Sequence, residues 1–592
     1  YSMGALVQNF VPLVAGTLIS TEYGLLPIEE VISGMTVDTL GSPQSCGGSI
    51  SQGYEKVNEI YLDSGQKLPA EDTHPIMVLQ PDMSLGWKQA KDLEKDDVVA
   101  VSFRESSLWP EQLKLEDYNE HLTGVGKDNK VACLICGKRF TQLHVHIRKA
   151  HNMDVVGYRN FTNSEDVLNV SKAGTDYKVP SVMTDDLGSL LGYLLSEGTI
   201  SKDSGNVLFS NSKNSLVADY QKCWNNTFTL AEDGKKRKRP SEFFKYLGVT
   251  DSSTHSSKLR VPWSILRAPK SVVTSFLRAF WEGDGSARAR ENAITFHSSS
   301  VDLLRDIQLL LGRLGIPGRI VENSPNIQEF CSYRSSKPCH TVQNGIISAS
   351  AASGTEVAIK AKRKMFTLYI SEPINVNKFN SIVGTTSQER KEDISKILSV
   401  FEGSSYPQKL NSWDTKIPGS KELYDLARKR AGGSGVYYNL EDGSKSRLSL
   451  KALELKDTFS LSYRHFEKYP ELLANIKKID ATLGNRLQIL YDMKLTFTTV
   501  IKVQKSAIAY PIFCIKEVGS EHNYIANGVI VHNCSNCGKV ETVKSPCRCM
   551  AMGKGSIIDG RLVYQLCAGV TYFEQSSVDD PADPTALSNS IR

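Results

Sequence analysis

What this sequence lacks narrows it first. Nowhere in its 592 residues is there a run of the about eighteen apolar side chains that a bilayer-spanning helix needs, so no membrane association is expected. Neither sign of charge dominates: 70 Lys and Arg against 65 Asp and Glu leave +5, and basic residues bunch only locally, as GKKRKR at 234–239 and KAKRK at 360–364. Such runs permit nucleic-acid contact, but a solvated loop is the commoner explanation of any one of them. An even, secreted-type cysteine framework is missing too. Of twelve cysteines, two form a Cys-x-x-Cys at Cys133 and Cys136 and four crowd between Cys534 and Cys549, which fits a reducing compartment with metal or thiolate chemistry. The start at Tyr1 has neither an initiator Met nor a signal peptide and reads as part of a longer product. What is there, 40% hydrophobic and 23% charged residues, describes a soluble globular protein of about three to four domains.

The stretch that organises the rest runs from Asn523 to Cys534, NYIANGVIVHNC. A β-strand ending in a turn accounts for most of it, but the last three residues carry chemistry. The Asn533 side-chain amide can attack its own backbone carbonyl, closing a succinimide and breaking the bond to Cys534, when an imidazole such as His532 assists and Cys534 already carries an upstream chain. That chemistry needs partners elsewhere. Near the other end, Val14 to Gly34 and Tyr54 to Leu79 alternate with period two and predict an all-β start. Within it, His74 stands before Pro75 at a strand entry, and Trp87, Ala90, Leu93 and Asp97 suit a short helix and strand.

These pieces together resemble the two halves of an intein, the HINT-fold protein-splicing domain. The matching blocks are Ala15-Gly16-Thr17-Leu18-Ile19, Gly65 to Pro75, Trp87 to Leu93, Phe513 to Gly528 and His532-Asn533-Cys534. The resemblance implies splice junctions at Val11-Pro12 and Asn533-Cys534. It also departs from the common pattern, because Pro12, where most inteins open on Cys or Ser, has neither thiol nor hydroxyl. The family's class 3 variants start without a nucleophile and use an internal Cys, here Cys514. Their companion Trp and Thr are missing, with Ile76 or Met77 and Val531 in those places, and Glu71 or Asp72 replaces the usual block Thr. The resemblance implies Cys514 as first nucleophile, His74 as general acid toward the Pro12 nitrogen, then transfer to Cys534 and Asn533 cyclisation assisted by His532. Direct attack by Cys534, with Cys514 as packing, is the alternative.

Cys133-x2-Cys136-x9-His146-x4-His151 sets two thiolates on a knuckle and two imidazoles on a following helix, as tetrahedral Zn²⁺ requires, with His144 as an alternative ligand. Leu134, Phe140, Leu143 and Ile147 are too few to fold without metal. The unit resembles the Ros/MucR-type bacterial zinc finger, which implies DNA contact by Lys138, Arg139, Arg148 and Lys149.

Asp186 to Ile200 and Ser275 to Ser286 form an internal repeat, each an apolar helix closing on an acidic residue and Gly. Gly192 and Ala279 both stand five positions before the acid, which lets the helices cross closely and brings Glu197 and Asp284 together, as a hard divalent metal needs. The pair resembles the double LAGLIDADG homing endonuclease, with Ser299 to Ile320 as the helix and strand after the second motif. The resemblance implies a monomeric, Mg²⁺-dependent DNA hydrolase cutting a double-stranded target, with Lys258 as basic active-site residue.

The expected fold is therefore multidomain: an all-β HINT splicing domain split by an α+β endonuclease and a small zinc finger. Its expected order is an N-extein fragment (1–11), splicing domain (12–125), finger (126–165), endonuclease (180–400), helical accessory region or linker (401–485), splicing domain again (486–533) and C-extein (534–592). Leu487 to Val503 is expected to re-enter β-structure. After splicing, Cys534, Cys537, Cys547 and Cys549 lie in the product and could hold zinc. The tail from Tyr572 to Pro584 resembles tailed-phage virion proteins, implying the cytoplasm of a bacterial host and a product that joins a phage particle. Two other readings remain open: a zinc-finger DNA-binding protein on an inert HINT-like scaffold, and a splicing element with a decayed endonuclease.

Overall fold

The computed structural model describes residues 11–115; 177–323 except 203–205, 231–239 and 290; 364–402; and 461–533 except 469, 517, 520 and 521. Shorter described pieces are 2–6, 131–132, 138–140, 143–151, 339–343, 346–350, 414–420, 423, 437–439, 445–447, 557–558, 561–562 and 571–576. The chain divides into two compact units, Tyr1–Leu108 with Lys409–Arg592, and Trp109–Gln408.

The first unit is built on one 15-stranded sheet in which chain ends are neighbours. Strand Leu18–Thr21 pairs with Asn523–Ala526, and Pro75–Leu79 with Val529–His532. Alternating apolar residues, among them Ile19, Leu68, Ile76, Val99, Tyr524 and Val531, fill a dry core. The Asn527-Gly528 turn, both residues at positive φ (47° and 78°), is the two-residue hairpin loop whose twist suits antiparallel strands. Its register sets Asn523 opposite His532. The Asn527 side chain accepts from the Leu18 N–H at 2.9 Å and donates to Lys67 O at 3.1 Å, so the hairpin is bolted to the N-terminal strands.

A second apolar core lies on the sheet beside helices Tyr463–Lys468, Glu471–Ile479 and Ala481–Met493. Leu472, Ile476, Leu483, Leu487 and Leu490 pack with Met77, Leu79, Ala100, Phe497 and Ile530. This corrects the expected strand from Leu487. Residues 487–493 are the end of a helix, capped by Asp480, whose carboxylate accepts from Leu483 N at 3.0 Å, and closed by left-handed Lys494. Leu483, Leu487 and Leu490 bury one helical face. The strand begins at Thr496.

The second unit repeats one pattern: helix Asp185–Glu197, strands Gly198–Ile200 and Val207–Asn211, helix Asn214–Thr227; then helix Lys270–Asp284, strands Gly285–Arg288 and Ala293–Ser298, helix Val301–Arg313. Each half builds a four-stranded sheet. Helices Asp185–Glu197 and Lys270–Asp284 cross where side chains are absent. A Cβ on Gly192 would lie 2.5 Å from Phe276 O and 2.9 Å from the Ala279 Cβ, and one on Gly188 2.7 Å from Val272 O. No helix among the described residues is long and apolar enough to cross a membrane.

Candidate active site

The upstream junction is held from two sides. Antiparallel pairing sets Leu13 opposite Phe513 and Val14 opposite Ile512, and that register, continued by one residue, sets Cys514 opposite Pro12. Cys514 is 1% exposed and packs against Val11 and Ile50; its thiol donates to Ile515 O at 3.4 Å. On the other side, the turn before Pro75 holds the same residues: Glu71 N–H donates to Pro12 O at 3.2 Å, and His74 N–H to Glu71 O at 3.1 Å. The Glu71 carboxylate accepts from Thr73 instead of facing the junction.

His74 is fully buried, and its Nδ1 lies 2.8 Å from the carbonyl oxygen of Val11. A carbonyl only accepts, so this partner assigns the proton to Nδ1. Among the described residues Nε2 has no hydrogen-bond partner. Burial pushes the His74 pKa down to about 3, against upward pulls from the Val11 and Pro12 backbone and with a further downward push from His532. A neutral imidazole aimed at a carbonyl oxygen can stabilise negative charge developing there. The ring therefore meets the Val11 oxygen, on the same peptide group as the Pro12 nitrogen toward which it is expected to act as general acid.

At the downstream junction, Asn533 is fully buried and its N–H donates to His522 O at 2.7 Å. His532 Nδ1 donates to Asn533 O, the carbonyl that cyclisation would attack. His522 stacks on His532 with ring centroids 6.5 Å apart, and Trp87 meets the same ring edge-on at 4.8 Å and 85°. Burial, then His522, lowers the His532 pKa, while the Asn533 carbonyl raises it. Sequence reasoning passed over His522. The signal was the Asn527-Gly528 turn, whose two-residue register places 522 opposite 533. Ile76 and Val531 are directly paired and both fully buried. Cys534, Cys537, Cys547 and Cys549 lie outside the described residues.

In the second unit, Glu197 and Asp284 end the two crossed helices. Burial raises both pKa values, and Glu197 adds to the rise of Asp284, which reaches about 8. Each acid loses hydration, and Glu197 repels Asp284, a condition a bound cation relieves. Among the described residues no group of three or more His, Cys, Asp or Glu is placed to hold a metal, so water or phosphate oxygens would complete any shell. Lys258 stands exposed on the turn Ser256–Lys258, and the neighbouring Arg260 is ion-paired to buried Asp306 at 2.6 Å.

Of the four expected zinc ligands, His146 and His151 are described, with ring centroids 5.0 Å apart. Leu143 and Ile147 of helix Leu143–Ala150 are buried, and Phe140 stacks on His146 at 3.8 Å. Cys133 and Cys136 lie outside the described residues.

A sheet that brings both ends of a domain together around a carbonyl hydrogen-bonded by a buried histidine and a terminal His-Asn pair defines a self-processing domain. The intein splicing domain model matches residues 42–533, and the chain belongs to that family; its activity is protein splicing. Two proteins named "Probable translation initiation factor IF-2" are similar. That of Methanocaldococcus jannaschii is 21% identical over 366 residues, 58% of this chain and 27% of that protein. That of Thermococcus kodakarensis is 26% identical over 281 residues, 47% and 23%. The glutamine-fructose-6-phosphate aminotransferase of Methanocaldococcus jannaschii is 22% identical over 371 residues, 60% of this chain and 28% of that protein. The chain thus spans about a quarter of the length of these relatives. Crystal structures of two Ssp DnaB mini-intein variants match at 18% and 15% identity, covering 17% and 18% of this chain and 70% and 71% of theirs, each with a TM-score of 0.15.

Proposed function

We propose that residues 12–533 excise themselves and join Val11 to Cys534. The observation that carries this is Val11, whose carbonyl is hydrogen-bonded by His74 and which shares a small apolar cluster with Cys514. Cys514 Sγ adds to the Val11 carbonyl carbon while the His74 Nδ1–H steadies the oxyanion. The bond to Pro12 breaks, the thiol proton ends on the Pro12 nitrogen, and a Val11 thioester on Cys514 remains. Cys534 Sγ takes over the acyl group. Asn533 Nδ2 then attacks its own carbonyl, polarised by His532, and the Cys534 amine leaves with a proton. An S-to-N shift ends in a Val11-Cys534 peptide bond. Two facts support this reading: the family match ends at Asn533, and proteins of unlike names are each similar to more than half of this chain, as expected of an element inserted in different hosts. Intact mass of the expressed chain tests it. Two products that sum to the precursor are expected, and a single 65.5 kDa species would refute it.

The second unit reads as a homing endonuclease of the double LAGLIDADG type that cuts double-stranded DNA. The close helix crossing and the mutually repelling Glu197 and Asp284 support it. The carboxylates would hold Mg²⁺, which supplies Lewis acidity and an activated water. Glu197 and Asp284 fix its position at the helix ends, and Lys258 contributes positive charge near the phosphate. Cys133, Cys136, His146 and His151 would bind Zn²⁺ and order a DNA-contacting finger. The spliced product, with its Cys534, Cys537, Cys547 and Cys549 cluster, belongs on this reading to a phage made in bacterial cytoplasm. Incubation of a plasmid library with Mg²⁺ tests the endonuclease; no cutting of any site would leave a splicing element with a decayed nuclease.

A further inference from the structure

We infer that Trp87 is a positioning residue for Asn533 cyclisation, holding the His532 imidazole against the Asn533 carbonyl. This rests on the junction assigned above.

Trp87 is 40% exposed and belongs to neither apolar core of its unit. What this ring touches outside those cores is the His532 imidazole. It sits on strand Leu85–Gln89, paired to Met77 of strand Pro75–Leu79, and that strand pairs through Ile76 with Val531, the residue before His532. Two consecutive ladders thus set the indole beside the imidazole. The rings meet at 4.8 Å and 85°, the edge-to-face geometry aromatic pairs prefer. His522 flanks the same imidazole in a near-parallel stack, 19° between planes. With both neighbours in place the ring cannot swing without losing contacts, and its Nδ1–H stays on Asn533 O.

That bond matters because cyclisation builds negative charge on the Asn533 oxygen. The Asn533 Nδ2–C bond forms, the C–N bond to Cys534 breaks, and one Nδ2 proton ends on the departing amine, so the step is balanced within the chain. An edge-on aromatic contact corresponds to roughly 3- to 10-fold in rate if it is fully used in holding the donor.

The full chain carrying Trp87→Ala or Trp87→Phe tests this. Release of 534–592 and thiol-induced release of 1–11 are followed by mass. Trp87→Ala should slow downstream release about 3- to 10-fold while upstream release stays within about twofold, and Trp87→Phe should restore most of the loss. Equal slowing at both junctions, no slowing, or failure of Phe to rescue would overturn the inference. A wild-type excised product that does not end in an Asn533 succinimide would instead overturn the junction assignment. Fluorescence gives a readout independent of turnover. In an Asn533→Ala chain, the Trp87 emission, obtained as the difference from the Trp87→Phe form, should change on His532→Gln. An emission indifferent to His532→Gln would count against the contact.

Discussion

Cys514 packs against Val11 although the two lie at opposite ends of the splicing unit's sequence. The first prediction tests which thiol acts first. With Cys514 first, Cys514→Ala blocks all splicing, and Cys534→Ala still permits release of 1–11 by added thiol. Asn533→Ala stops downstream release under either order. Splicing at the wild-type rate by Cys514→Ala, read by intact mass, would assign the first step to Cys534.

His74 links the upstream junction to acid. Its folded pKa is depressed to about 3 against an unfolded value of about 6.5, so the unfolded chain binds the extra proton between these limits. Stability is retained above about pH 6.5 and falls as the pH drops toward 3. His74→Gln keeps a donor near Val11 O and removes this proton uptake. Its thermal midpoint should fall less steeply between about pH 6.5 and about pH 4 than that of wild type, while upstream cleavage slows.

Asp284 behaves oppositely. Its folded pKa of about 8 lies above an unfolded value of about 3.9, so stability is present at low pH and lost as the pH rises between these limits. Without metal, Asp284→Asn should flatten that decline and abolish DNA cutting with splicing intact. Added Mg²⁺ should raise the wild-type thermal midpoint more at about pH 8 than at about pH 5; an equal rise would refute a carboxylate-held ion.

Arg390 lies against the end of the helix that carries Asp284. It donates to Trp281 O at 2.7 Å and Glu282 O at 2.8 Å, and it pairs with the buried Glu282 carboxylate at 3.3 Å. Arg390→Ala would leave that carboxylate buried without its cation, at a cost of about 3–5 kcal/mol. Calorimetry should show the second unit melting well below wild type, with Glu282→Gln milder because its side-chain carbonyl still accepts from Thr386 and Ser387.

For the finger, Cys136→Ser should lower bound zinc, measured by atomic absorption, and weaken DNA binding. A wild-type chain purified without stoichiometric zinc would refute the module.

Much of this was legible because it is local. Gly192 and Ala279, each five residues before an acid, announce a close helix crossing, since helical period alone decides which residues face the partner. His532-Asn533 was legible as chemistry. The helix through Leu487–Met493 was not, because an apolar run of that length satisfies a strand or a helix until its partners are known, and those partners, Met77 and Ala100 among them, come from hundreds of residues away. Trp87 against His532 was hidden for the same reason: it needs two successive strand registers, of which the turn at Gln80–Ser84 fixes only Met77 with Trp87, while Ile76 with Val531 joins distant parts of the sequence. His522 opposite Asn533 could have been derived from the Asn-Gly turn by counting.

The second apolar core also decides where this chain can be shortened. Cutting out 109–408 would keep every residue of both cores in the first unit. A cut extended to residue 493, which looks equally permissible on a linear map, would strip the helices from Met77, Leu79, Ala100, Phe497 and Ile530. The compact splicing tool made that way would carry a sticky flank beside its own C-terminal strand and would precipitate before it reacted.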